Sequence, residues 1–226
     1  MKKSLKKYYD KKYFEKRDYL DLHLAEAIKL LAKNQELMTI LDVGCGTGLL
    51  TKFLRKSGFN AYGLDPFANL PKNKYFVKAS AERLPFNNAS FDLVTSISVI
   101  EHLTLRQVYG FLKEVKRILK PKGVIFLITP NFATPIRFFQ GDKWFGYSDP
   151  THITFYTPKS AALLLKSYGF TNIKFMFKTK YNTPFDWDLP DFIRRLPSPF
   201  KKFITYLLIS TPISNLKNSF WISGEK

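Results

Sequence analysis

One cysteine, three histidines and 18 acidic residues are all this 226-residue chain has of several side chains common in metal, redox and acid–base chemistry. The lone Cys45 has no partner for an intramolecular disulfide and no companion thiolates for zinc, which fits a reducing compartment. No stretch approaches 18 uninterrupted apolar residues, so no membrane-spanning helix is expected. The basic start Met1-Lys2-Lys3-Ser4-Leu5-Lys6-Lys7 runs into polar residues, without the apolar core of a signal peptide. The expected location is the cytoplasm, with contact to the inner face of the membrane left open. Acids are also few against 36 Lys and Arg, for a formal net charge of +18. Such a surface is drawn to phosphate on nucleic acid, a sugar nucleotide or an anionic bilayer. It equally serves a Lys-rich protein that needs only to stay soluble.

Apolar and aromatic residues are plentiful. At 45% hydrophobic content, with 22 Phe and 12 Tyr, the chain can bury one sizeable core and is not built for disorder. Its organising stretch is Thr39-Ile40-Leu41-Asp42-Val43-Gly44-Cys45-Gly46-Thr47-Gly48-Leu49-Leu50. A β-branched run ends in three alternate glycines, and a helical pattern follows at once. Glycine there permits positive φ and lets backbone approach a ligand, while the following helix offers unpaired N–H groups. From this point the chain alternates. Apolar runs at 39–43, 61–64, 75–79, 91–97, 123–129 and 172–178 predict strands, and patterns near 48–57, 104–119 and 158–168 predict helices. Thr104 and Thr157-Pro158 are start signals; Lys120-Pro121-Lys122-Gly123 and Gly169 are stop signals. Alternating β and α units predict a mostly parallel sheet with helices on both faces.

Three further pieces flank this core. Residues 1–34 are expected to form a helical lid, with a helix over 8–34 carrying the stripe Leu20, Leu24, Ile28 and Leu31. Residues 181–217, broken by Pro184, Pro190, Pro197, Pro199 and Pro212, are expected to be a helical insertion or cap. Residues 218–226 would supply a final strand to the core at 35–180. His23, in the N-terminal helix, is expected to be a surface or packing residue.

Gly44, Gly46 and Gly48 give G-x-G-x-G, whereas the dinucleotide fingerprint has its third glycine one residue later. Phosphate binding of the Walker type needs Lys after its last glycine, and Leu49 stands there. Gly63-Leu64-Asp65 ends the second strand with a carboxylate able to accept from ribose hydroxyls. Further on come Ala81-Glu82-Arg83-Leu84-Pro85-Phe86, Phe91-Asp92-Leu93-Val94, Glu101-His102-Leu103 and Leu119-Lys120-Pro121-Lys122-Gly123-Val124. In this order the motifs resemble the class I S-adenosylmethionine-dependent methyltransferases of the small-molecule and lipid-type branch, over about residues 35–180. The resemblance implies an α/β, Rossmann-like sheet of seven strands, mostly parallel with an antiparallel last strand, for which residues 219–223 are the candidate.

It also implies roles. Gly44 and Gly46 would face the methionine and ribose portions of S-adenosylmethionine, with Asp42 in the same motif. Asp65 would accept from the ribose, and Pro66 would lie near the adenine. Ala81 and Glu82 would border the adenine edge; Ile97 and Ser98 would line the methyl end. Methyl transfer is an in-line displacement that depends chiefly on alignment, and an oxygen or nitrogen acceptor also has to lose a proton. His102 and His152 are the candidate groups for that proton, each with a purely structural alternative. The quinone-precursor O-methyltransferases resemble the chain around Glu101-His102 and Thr151-His152, but carry a metal-holding acid where Ser98 stands here, so no metal is expected.

The expected acceptor is small or lipid-linked. Nucleic acid is the second choice on charge, although Ser96-Ile97-Ser98-Val99 lacks the Asn/Asp-Pro-Pro-aromatic motif of base amino-methylases, and Cys45 lies in the wrong loop for cytosine C5 chemistry. A non-catalytic cofactor-binding scaffold is a third reading. The stretch 194–209, with Arg194-Arg195 and Lys201-Lys202 beside Ile204, Leu207 and Leu208, is a candidate peripheral membrane contact or a lid on the acceptor site. Nothing in the sequence points to an oligomeric state.

Overall fold

A computed structural model describes residues 7–175, 195–200, 203 and 218–226, with His23 described by its backbone alone. Among these residues, seven strands form one sheet: β1 (Thr39–Val43), β2 (Asn60–Leu64), β3 (Phe76–Val77), β4 (Phe91–Ile97), β5 (Leu119–Pro130), β6 (Thr171–Phe175) and β7 (Ser219–Glu225). They lie in the order β3-β2-β1-β4-β5-β7-β6. The first five run parallel, and β7 is inserted antiparallel between β5 and β6. This is the predicted architecture, last strand included.

The central strands are apolar on both faces because helices cover both. Side chains alternate across the sheet. Leu41, Val43, Val94, Ile125 and Leu127 enter one core, whereas Ile40, Leu93, Val124, Phe126 and Ile128 enter the other. The first core is closed by α4 (Leu105–Ile118) and α7 (Pro158–Ser167) through Phe111, Val115 and Leu165. The second is closed by α2 (Leu22–Asn34) and α3 (Leu49–Lys56) through Ala25, Ile28, Leu50 and Leu54. Thr104 and Thr157 start their helices in capping boxes, with Pro158 in the first turn of α7. Short helices α1 (Lys11–Lys16), α5 (Ile136–Gln140) and α6 (Phe145–Ser148) lie outside the alternating pattern.

The structure departs from expectation in three places. The continuous helix over 8–34 is two helices, because Asp10 and Asp21 each cap a separate start: Asp10 Oδ1 accepts from Tyr13 N, and Asp21 Oδ1 from Leu24 N. The stop signal Lys120-Pro121-Lys122-Gly123 lies within β5, which begins at Leu119 as soon as α4 ends. Pairing with β4 jumps there from Phe91↔Leu119 to Leu93↔Val124, and Lys122 takes φ 62. That is a bulge, with the turn chemistry expected of the sequence but no break in the strand. β3 shrinks to two residues of the expected five. Most of 181–217, including most of 194–209, lies outside the described residues. No helix among the described residues is long and apolar enough to cross a membrane.

Strand order reverses between β1 and β4, and the chain leaves the carboxyl ends of both strands on the same edge of the sheet. A crevice outside such a reversal is where open α/β sheets bind ligands. At its floor Gly48, φ 83, opens α3, and a Cβ there would sit 2.3 Å from Phe76 Cε1. Gly48→Ala is therefore expected to lower the unfolding free energy by about 2–4 kcal/mol, from left-handed strain plus overpacking. A denaturant midpoint equal to that of the unsubstituted chain would contradict this packing.

Candidate functional site

The glycine corner is held by backbone bonds from its first residues. Gly44 N and Cys45 N both donate to Leu64 O, at 2.7 and 3.1 Å, tying the end of β1 to the end of β2. Gly46 N donates to Asp65 Oδ2 at 3.1 Å, while Asp65 Oδ1 accepts from Phe67 N and Ala68 N, each at 2.8 Å. One carboxylate thus fixes two loops. Burial raises the Asp65 pKa, and its three N–H donors oppose the shift. The glycines are required for different reasons. A Cβ on Gly44 would meet Val99 Cγ2 at 2.3 Å, whereas one on Gly46 would meet no atom within 4 Å. At φ 54, Gly46 presents bare backbone to open space. A cofactor that needs close backbone approach fits this cradle.

Behind the corner, Asp42 is buried, and Thr95 Oγ1 donates to its Oδ1 at 3.0 Å. Burial pushes the Asp42 pKa up to about 7, against the opposing Thr95 hydrogen bond. On the far side, Arg117 of α4 donates to Leu84 O and Phe86 O, and Glu114 Oε2 accepts from Leu84 N. These bonds pin the loop that carries Ala81 and Glu82. Glu82 itself accepts from Ser80 Oγ and Gln107 Nε2, both at 3.2 Å.

At the other end, β4 delivers Ile97 and Ser98, the latter with φ 52, a conformation costly for a residue with a Cβ. A 3-10 turn, Ile100–His102, then places Glu101 and His102 beside the segment 149–154. Ile153 N and Thr154 N donate to Glu101 O at 2.9 and 3.1 Å, which joins the two segments. His102 Nδ1 lies 3.2 Å from Thr151 O and 2.8 Å from Thr151 Oγ1, and Thr151 Oγ1 donates to Asp149 Oδ1. His152 Nδ1 lies 3.0 Å from Gly146 O, and the two imidazole centroids are 4.7 Å apart. Burial, with His152 adding to it, lowers the His102 pKa to about 4, so its ring is neutral at pH 7. Burial raises Glu101 to about 8.

All eleven residues singled out from the sequence as catalytic or cofactor-binding line a single cavity of about 1710 Å³: Asp42, Gly44, Gly46, Asp65, Pro66, Ala81, Glu82, Ile97, Ser98, His102 and His152. That exceeds the roughly 300–1,000 Å³ typical of a site for one small ligand. Tyr8, Tyr9, Tyr13, Phe14 and Arg17 of the N-terminal segment line it as well. Tyr9 stacks on Phe67 at 4.7 Å, Arg17 Nη2 meets Asp149 Oδ2 at 3.2 Å, and Thr47 Oγ1 donates to Asp18 Oδ1 at 2.7 Å. Arg17, Asp149 and Thr151 also line the cavity, and the sequence assigned none of them an individual role.

A family model described as a methyltransferase domain matches residues 13–174. An uncharacterised protein of Methanocaldococcus jannaschii is 36% identical over 142 residues, 58% of this chain and 53% of that one. The mitochondrial ubiquinone biosynthesis O-methyltransferase of Rattus norvegicus is 36% identical over 109 residues, 42% of this chain and 31% of that one. The chain spans about half the length of several curated relatives it matches. A SAM-dependent methyltransferase of Archaeoglobus fulgidus shares the fold, with a TM-score of 0.60 at 19% identity over 89% of this chain and 94% of that one.

The buried acid behind the glycine corner gives a signed pH dependence. From about pH 4 to 7 the folded chain keeps a proton on Asp42 that the unfolded chain has released, so this group makes stability fall as pH rises. The slope is at most about 1.4 kcal/mol per pH unit. Asp42→Asn is expected to remove that component, so the difference in unfolding free energy between variant and parent grows in the variant's favour from pH 4 to 7. A difference flat across the window would mean Asp42 titrates normally.

Proposed function

The chain belongs to the methyltransferase-domain family, and from that premise we propose that it transfers the methyl group of S-adenosylmethionine to an oxygen or nitrogen of a small-molecule or lipid-linked acceptor. The observation that carries this reading is the convergence of all the expected cofactor positions, with both candidate catalytic histidines, on one cavity. The relatives named for ubiquinone biosynthesis O-methylation favour oxygen as the acceptor atom.

Bound S-adenosylmethionine supplies a sulfonium-activated methyl group for in-line displacement. The chain's own contribution is alignment and the exclusion of water. In this reading the Gly44 and Gly46 backbone supports the cofactor, Asp65 accepts from the ribose hydroxyls, and Pro66, Ala81 and Glu82 border the adenine. Ile97 and Ser98 flank the reacting methyl. The N-terminal segment acts as a lid, fastened by the Arg17–Asp149 pair and the Thr47–Asp18 hydrogen bond. His102 and His152 stand at the acceptor's proton. His102 is neutral, and its Nδ1 faces the Thr151 carbonyl, leaving the Nε2 lone pair available.

The net charge of +18 supports a second reading, in which the acceptor is RNA. Calorimetry with S-adenosylhomocysteine tests the donor half: micromolar binding is expected, and Asp65→Ala should weaken it roughly tenfold or more through lost charged hydrogen bonds. No heat from a folded sample would sink the proposal. For the acceptor half, labelled methyl groups are followed from S-adenosylmethionine into lipid, small-molecule and RNA fractions of a cell extract. Label in lipid or small molecules is expected; label confined to RNA would transfer the reading to nucleic acid.

A further inference from the structure

Glu101 is 2% exposed, and its Oε2 accepts from Thr129 Oγ1 at 3.0 Å. Its Oε1 is buried with no hydrogen-bond partner among the described residues. An orphaned carboxyl oxygen at such depth is costly and calls for a partner. The two histidines beside it are set in a revealing way. His102 Nδ1 faces Thr151 O, and His152 Nδ1 faces Gly146 O. A carbonyl oxygen can only accept, so each ring carries a proton on Nδ1 and Nε2 is the nitrogen left for a ligand. Imidazoles fixed through one nitrogen by a backbone carbonyl, with the other nitrogen free, have the arrangement of metal-ligating histidines.

One donor atom from each of Glu101, His102 and His152 lies within 4.8 Å of the others. Hydrogen bonds from Ile153 N and Thr154 N to Glu101 O lock together the segments that carry the three donors. Asp149 Oδ2, at 4.0 Å from His152 Nε2, is too distant for a hydrogen bond and is already paired with Arg17. We propose that Glu101, His102 and His152 bind one divalent transition-metal ion of the zinc class. Two imidazoles and one carboxylate suit zinc and its neighbours and are poorly matched to magnesium or calcium, which prefer all-oxygen sets. Nitrogen donors sit about 2.0–2.1 Å from zinc, so binding would draw the three groups closer by side-chain rotation.

The expectation that no metal binds rested on Ser98, which lacks the carboxylate of the quinone-precursor enzymes. The third ligand comes instead from His152, fifty residues along the chain, and it changes the chemistry of the set. The inference deepens the proposed function, on which its purpose rests: a Lewis acid at the acceptor end would make an acceptor hydroxyl easier to deprotonate, and with both Nε2 atoms on the ion the proton would pass to solvent in place of His102 or His152. Its ligand geometry stands apart from that reading.

The test is metal binding. Protein stripped with a chelator and dialysed is titrated with Zn²⁺ and with Mg²⁺, using a chromophoric chelator as competitor, and Co²⁺ is added separately to record its visible ligand-field bands. The expected result is one Zn²⁺ per chain, no competing Mg²⁺ binding, and a Co²⁺ spectrum. Affinity should fall about 10-fold or more in both Glu101→Gln and His152→Gln, and stay unchanged in His23→Gln. Circular dichroism identifies any variant that fails to fold, and His102→Gln serves as the replacement. Absence of Zn²⁺ binding, binding unaffected by the Glu101 and His152 substitutions, or equal affinity for Mg²⁺ would overturn the proposal. S-adenosylhomocysteine binding by the same stripped protein reports separately on the cofactor site, so a missing cation site with an intact cofactor site refutes only this inference.

Discussion

One carboxylate holds the two loops from which the rest of the site follows. Between β1 and α3 the chain takes positive φ at Gly44, Gly46 and Gly48, a path no run of ordinary residues would follow. Asp65, at the end of the neighbouring strand, accepts hydrogen bonds from Gly46, Phe67 and Ala68. The first crosses from β1's loop to β2's loop and the other two close β2's own loop, so the two strand ends open together as one mouth. The side chain proposed to hold the ribose therefore also shapes the cradle in which the ribose would lie. That dual role explains why a buried, desolvated acid is tolerated: backbone N–H groups replace much of the water it has lost.

The other half of the cavity obeys a different constraint. Glu101, His102 and His152 are polar groups crowded together at the cavity wall, and their neighbours fix orientation more than charge. Thr151 is the hub, holding His102 Nδ1 through both its carbonyl and its hydroxyl, while the hydroxyl donates onward to Asp149. Asp149 in turn meets Arg17 from the N-terminal segment. The position of that segment and the orientation of the His102 ring are thus parts of one connected network. A change at Arg17 would be felt at His102 without any direct contact between the two.

Much of the fold was legible in the sequence because its signals are local. Strands β1 and β4 read directly from apolar runs, and α4 and α7 from Thr104 and Thr157-Pro158. Gly44, Gly46 and Asp65 were legible because backbone demands and side-chain chemistry coincide within about twenty residues. What was missed depends on contacts between distant segments. The apolar stripe at Leu20 to Leu31 suggested one long helix, but Asp21 caps a new start, and Arg17 and Asp18 are free to bond to Asp149 and Thr47. Likewise, Glu101-His102 and His152 are individually plain in the sequence, but their proximity is set by the hydrogen bonds of Ile153 and Thr154 to Glu101. No periodicity records such a pairing.

In the proposed function cofactor and acceptor share this one cavity, with the sulfur of the cofactor directed at the two histidines. A crystal structure with S-adenosylhomocysteine tests it most directly. Ribose hydroxyls are expected on Asp65, adenine between Pro66 and Ala81, and the sulfur beside Ile97 and Ser98 with open space beyond it ending at His102 and His152. A ligand bound elsewhere, or one whose sulfur points away from the histidines, would contradict it.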